Sequence, residues 1–139
     1  SPDLADGDLT EVVDLALAKG VCGFVAVNTT IRRDGLASPD SLVERGGGLS
    51  GPPLAARACE VVQAIRRRAG DRATIIGVGG VHDGASAYRL IRAGATLVQA
   101  YTGFVYGGPS FARRVKSELR TLLERDGFSS ALDAVGVDA

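Results

Sequence analysis

Between residues 8 and 126 the chain alternates short apolar runs that lack helical period with stretches whose apolar residues recur at helical spacing. Each apolar run stops at glycine or polar residues. That alternation predicts three consecutive parallel strands with the crossover helices on one side, because strands of a parallel sheet read as continuous apolar runs. Leu9, Val12, Val13, Ala16 and Leu17 predict a first helix, with Asp8 and Glu11 as a capping box and Gly20 as the stop. Gly23 to Asn28 predicts a strand, and a loop follows from Asn28 through Gly46-Gly47-Gly48-Leu49-Ser50-Gly51 to Pro52-Pro53. Loops longer than about 15 residues are usually functional. Leu54, Ala58, Val61, Val62 and Ile65 predict a second helix, with Arg66, Arg67 and Arg68 as a solvated face near its end. Thr74 to Val78 predicts a strand, then a helix capped by Asp83 runs through Leu90 and Ile91 to a stop at Gly94. Ala95 to Ala100 predicts a third strand, and Phe111, Val115, Leu119, Leu122 and Leu123 a last helix before Gly127. The fold class is α/β, either a doubly wound sheet or a barrel. A (β/α)8 barrel needs eight strands and about 250 residues, so about three βα units could only be its C-terminal portion.

Composition narrows the partners. At 139 residues with 45% apolar and 23% charged content, the chain has enough material for one domain with a core. Sixteen basic residues balance 16 acidic ones, so there is no electrostatic footprint for nucleic acid. No apolar run approaches the roughly 20 residues that span a bilayer, and no signal peptide is visible. Cys22 and Cys59 lie outside any C-x-x-C pair, which argues against a metal site or disulfide framework. They are expected to pack as small apolar residues in a reducing, cytoplasmic setting. The absence of Met and the opening Ser1-Pro2-Asp3 read as a piece of a longer protein.

The three strand ends carry the polar clusters: Asn28-Thr29-Thr30, Gly77-Val78-Gly79-Gly80 and Tyr101-Thr102-Gly103. In a parallel sheet these share the carboxyl-end face, where α/β folds build their sites. Bare glycine backbone lets N–H groups approach phosphate oxygens, so Gly77 to Gly80 and Tyr101 to Gly103 suit a phosphate site. The amides of Gly79, Gly80, Tyr101 and Thr102 are expected to converge; tight βα turns are the competing explanation of these glycines. Asn28, Thr29 and Thr30 supply an amide and hydroxyls but no strong acid or base, which fits recognition of a polar planar ligand, or else a side-chain-capped turn. His82 is the only histidine, which excludes a Ser-His-Asp triad or a two-His metal site within the segment, and it is read as a helix-capping loop residue. Ser50 lacks the G-x-S-x-G elbow of a nucleophile.

These clusters resemble the C-terminal part of the dihydroorotate dehydrogenase family, FMN enzymes of pyrimidine synthesis, and more closely its class 2, quinone-linked branch. The resemblance rests on Asn28-Thr29-Thr30, Gly47-Gly48-Leu49-Ser50-Gly51-Pro52-Pro53-Leu54, Ile75-Ile76-Gly77-Val78-Gly79-Gly80-Val81, Ala93-Gly94-Ala95 and Leu97-Val98-Gln99 leading to Tyr101-Thr102. It continues through Gly127-Phe128 and Asp133-Ala134-Val135-Gly136, so residues 1–139 are expected to be one partial FMN-binding barrel domain ending at the true C-terminus. The resemblance implies an FMN site at Val27, Gly51, Gly79, Gly80, Tyr101 and Thr102, and binding of dihydroorotate or orotate by Asn28 and Thr29. Val27 stands where the family usually has a flavin-contacting Thr, so only a backbone contact could survive there. The family's serine base, flavin-binding Lys, further substrate Asn residues and membrane-docking helices belong to an N-terminal half not in this chain. The expectation is therefore no catalytic residue and no metal in this segment, and no activity from the segment alone. The parent would pass a hydride from dihydroorotate to FMN and reoxidise it with quinone as a peripheral protein of the inner or cytoplasmic membrane. The alternatives are a non-catalytic FMN- or phosphate-binding half-barrel, another FMN-dependent pyrimidine dehydrogenase, and a fragment that does not fold alone.

Overall fold

A computed structural model describes residues 1–139. Three strands, β1 (Gly23–Ala26), β2 (Thr74–Val78) and β3 (Leu97–Gln99), form one parallel sheet in the order β1-β2-β3. The register places Val25 beside Ile76 and Ile76 beside Leu97. Six helices accompany them: α1 (Asp6–Ala18), α2 (Asp40–Val43), α3 (Ala55–Ala69), α4 (Gly84–Arg92), α5 (Thr102–Gly107) and α6 (Phe111–Arg125). Helices α3 and α4 cover one face of the sheet, with α1 packed on α3 and α6 on α4. Between them lies the main core, in which Val13, Val62, Ile75 and Leu90 are the largest fully buried side chains.

The other face is bare. Val25 is 62% and Leu97 56% exposed, with Ile76 half-buried between them in the same register row. The helices lie on one side, as expected, and the apolar strand residues alternate between that layer and a face that no element of the chain covers. Consecutive parallel strands with their helices on one face are the arrangement found in an arc of a (β/α)8 barrel.

Several element boundaries differ from the expected ones for local reasons. Helix α1 starts at Asp6, with Leu9 N–H already bonded to Ala5 O at 2.9 Å, so no Asp8–Glu11 capping box forms. Strand β1 ends at Ala26, although Val27 N–H still donates to Val78 O at 2.7 Å. Strand β3 loses Ala95 because its N–H closes the end of α4 on Leu90 O at 2.9 Å. The long loop is not featureless: it holds α2 and is drawn together by an antiparallel bridge between Thr30 and Leu49. Helix α3 follows a single 3-10 turn at Pro52–Leu54, and α4 carries the expected Asp83 cap, closed by Ser86 as a reciprocal capping box. The short α5 was not anticipated.

The arginine run is also more than a solvated face. Arg68 holds Asp14 of α1 with two hydrogen bonds, and Arg66 reaches Gly70 O and Asp71. Cys59 is half-buried against the core, and burial pushes its thiol pKa up, but Cys22 is exposed, because it lies in the turn before β1 rather than in the sheet. The last residues dock on the end of α4, where Arg92 grips Asp138 bidentately and Gly136 N–H donates to Ile91 O at 3.1 Å. No helix is long and apolar enough to cross a membrane.

Candidate functional site

The carboxyl ends of the three strands open into one cleft of about 410 Å³. Its walls come from all three clusters: Val27, Asn28 and Thr29 after β1, Gly79 and Gly80 after β2, and Tyr101 and Thr102 after β3, with Gly48, Ser50 and Gly51 contributed by the long loop. The parallel register brings these residues together although up to 75 positions separate Val27 from Thr102. The lining carries neither a carboxylate nor a cation.

Ser50 and Thr102 tie the long loop to the β3 turn through a 2.7 Å hydroxyl–hydroxyl hydrogen bond. This explains Ser50 as a structural partner. Gly51 sits beside them at φ 85°, a left-handed backbone that favours glycine, with Thr102 Cγ2 3.4 Å from where a Cβ would lie. Tyr101 is 78% exposed at the rim.

Gly79 and Gly80 combine close packing with unbonded backbone donors. A Cβ on Gly79 would lie 2.9 Å from Ala58 Cβ, and one on Gly80 would lie 2.6 Å from Ala55 Cα, so both glycines let the β2 turn press against the start of α3. Close packing is thus part of why they are glycine, as the tight-turn explanation has it. Their backbone donors are a separate matter: no N–H of Gly79, Gly80 or Tyr101 is bonded to an acceptor of the chain, and that of Thr102 opens α5, where no intrahelical partner exists. Gly80 is buried. Buried backbone N–H groups almost always have a partner, and one left unmade costs about 1–3 kcal/mol.

Of the Asn28-Thr29-Thr30 cluster only the first two face the cleft. Asn28 Oδ1 accepts from Thr29 N–H at 2.8 Å, as in a capped turn, which leaves its Nδ2 amide free to donate outward. Thr30 is buried and turned away: its hydroxyl donates to Asp3 Oδ1, and its backbone pairs with Leu49 in both directions. Val27 is buried with its N–H committed to Val78, so its carbonyl is the backbone group left to face a ligand. His82 does not cap α4; Asp83 does, while His82 Nδ1 donates to Gly80 O at 2.7 Å and its carbonyl accepts from Arg114 at 3.2 Å.

Sequence reasoning missed Asp3 and Arg57. Arg57 donates to Pro2 O, Leu4 O and Asp6, fastening the first residues to α3, and Asp3 then meets Thr30. Pairs 27 and more positions apart leave no periodic signal.

The sequence model of the family described as dihydroorotate dehydrogenase matches residues 1–123. Among curated relatives, the dihydroorotate dehydrogenase (quinone) of Rhodococcus opacus is 52% identical over all of this chain and 40% of its own length. That of Anaeromyxobacter dehalogenans is 55% identical over 99% of this chain and 38% of its own. Two crystal structures of DHODH from Eimeria tenella, one in complex with ferulenol and one ligand-free, superpose with a TM-score of 0.93 at 40% identity. They cover 99% of this chain, which in turn covers 36% and 38% of theirs. The chain spans about two fifths of the length of the curated relatives it matches.

Proposed function

Because this chain belongs to the dihydroorotate dehydrogenase family, we propose that it is the C-terminal, FMN- and orotate-binding part of a quinone-linked enzyme that oxidises dihydroorotate to orotate. The observation that carries the reading is the row of unpaired backbone donors at Gly79, Gly80, Tyr101 and Thr102 in the cleft at the strand ends. Four N–H groups with no carboxylate nearby suit a phosphate monoester, whose oxygens are acceptors only. Gly48, Gly51, Gly79 and Gly80 line the cleft without side chains, which leaves room for a fused ring. The residues present therefore fit FMN, and the proposed cofactor site is Gly51, Gly79, Gly80, Tyr101 and Thr102 with the Val27 carbonyl.

When bound, FMN supplies the two-electron chemistry between dihydroorotate and quinone. The chain's own residues bind and orient. Asn28 Nδ2 and the Thr29 hydroxyl are proposed to hydrogen-bond the pyrimidine, beside apolar lining from Val27, Leu54 and Val78. No lining side chain has an ordinary pKa near neutrality, so this part positions reactants and leaves proton removal to residues outside it. Quinone contact and membrane attachment likewise fall to the rest of the longer protein.

The test is Asn28→Ala in the full-length enzyme. Leaving a pyrimidine carbonyl unpaired costs about 1–3 kcal/mol, so orotate should bind roughly 5- to 150-fold more weakly while the flavin stays in place. Titration of orotate against flavin absorbance reads both. Loss of flavin with unchanged orotate affinity would reverse the two assignments.

A further inference from the structure

Residue Asp3 lies outside the cleft lining, yet its carboxylate touches the segment that presents Asn28 and Thr29. Asp3 Oδ1 accepts from the Thr30 hydroxyl at 2.5 Å, and Oδ2 from Ile31 N–H at 3.1 Å. Thr30 is the junction of this part of the molecule. Its N–H and carbonyl bridge to Leu49 at 3.1 and 2.8 Å, its Oγ1 accepts from Arg32 N–H at 3.0 Å, and its carbonyl accepts from Arg33 at 3.2 Å. Leu49 is followed by Ser50, which reaches Thr102. A chain of hydrogen bonds therefore runs from Asp3 through Thr30 and the long loop to the β3 turn. Asp3 itself is held from behind, since Arg57 on α3 clamps Pro2 O at 2.9 Å and Leu4 O at 3.0 Å. The Thr30 hydroxyl above all, and then Ile31 N–H, hold the Asp3 carboxyl below the usual carboxylate range in spite of its partial desolvation.

We infer that Asp3 is a positioning residue for the pyrimidine: by pinning Thr30 and Ile31 it fixes the aim of Asn28 and Thr29 from the far side of the turn. The inference rests on the reading of Asn28 and Thr29 as pyrimidine-binding. Physically, Asn28 and Thr29 are exposed residues between two buried ones, Val27, held to Val78 of β2, and Thr30, whose hydroxyl is held by Asp3. A donor free to swing spends less time in productive geometry, which weakens binding without altering the reacting groups.

The experiment uses the full-length enzyme with dihydroorotate and a quinone acceptor, together with orotate titration of the flavin spectrum. Asp3→Ala should raise KM for dihydroorotate and Kd for orotate about tenfold, with kcat within about twofold and FMN content unchanged. Thr30→Val should do the same, and the double variant should lose less than the sum of the two single ones, because both remove the shared Thr30–Asp3 contact while each also removes one bond of its own, from Ile31 N–H or from Arg32 N–H. Thr30→Ser keeps the hydroxyl and should behave as the unsubstituted enzyme, as should the remote surface control Lys19→Ala. Unchanged KM and Kd in both Asp3→Ala and Thr30→Val would overturn the inference, as would additive losses in the double variant or a parallel loss of flavin. If Asn28→Ala also leaves orotate binding unchanged, it is the pyrimidine reading of the turn that fails, and the inference falls with it.

Discussion

Replacing Gly80 with alanine separates packing from ligand binding at the β2 turn. Gly80 has φ 72°, so any side chain pays for a left-handed backbone, about 1–2 kcal/mol. The new Cβ would also sit 2.6 Å from Ala55 Cα and 2.9 Å from Ala55 N, backbone atoms at the start of α3 that cannot rotate away. Relieving such an overlap costs about 1–3 kcal/mol. Together these give a loss of about 2–5 kcal/mol, which at about 2–4 °C per kcal/mol lowers Tm by roughly 4–20 °C in the full-length enzyme. Gly20→Ala is the control: its φ is 78°, and nothing lies within 4 Å of the added Cβ, so it carries the backbone cost alone. Thermal unfolding followed by circular dichroism, with flavin content measured on the same samples, compares the two. Gly80→Ala should melt lower than Gly20→Ala by the overlap contribution and should lose flavin below its Tm, because its N–H moves with the turn. Equal Tm values for the two variants would refute the claim that Gly80 is needed for contact with α3. Full flavin retention would refute its role as a phosphate donor.

Two further outcomes are expected. The 139-residue chain by itself should form no orotate from dihydroorotate with a quinone acceptor, since its cleft lacks a base, and general base catalysis contributes about 10² to 10⁴ in rate; measurable turnover by the purified chain would mean that the chemistry lies in these residues after all. Arg125 above all, with the Tyr88 hydroxyl and Arg92, holds the Asp126 carboxyl down to about 2. A depressed carboxylate contributes stability that is present above the ordinary carboxylate range and is lost as pH falls from about 4 through 2, so Asp126→Asn should flatten that part of a plot of unfolding midpoint against pH.

The α/β alternation, the parallel sense of the strands, the Asp83 cap and the gathering of Asn28, Gly80 and Thr102 on one face were all legible in the order of residues. The reason is local: apolar period, cap chemistry and strand ends are properties of neighbouring positions, and parallel pairing then puts every strand end on the same side. What lies across the chain was not legible. Helices on one side were expected, but that Val25, Ile76 and Leu97 form one row on the other side came from the strand register, which no run of apolar residues reveals. The loss of Ala95 from β3 came from competition for its N–H by the end of α4. Gly80 reads in sequence as a phosphate-turn glycine, while its contact with Ala55, 25 positions earlier, exists only once α3 is docked. Asp3 and Thr30 carry no pattern that links them, because a carboxylate and a hydroxyl find each other only after Arg57 has drawn the first residues onto α3. The sequence by itself determined which elements form and where a site could open; tertiary packing decided which polar groups remained unpaired at that site and which were consumed in holding it in place.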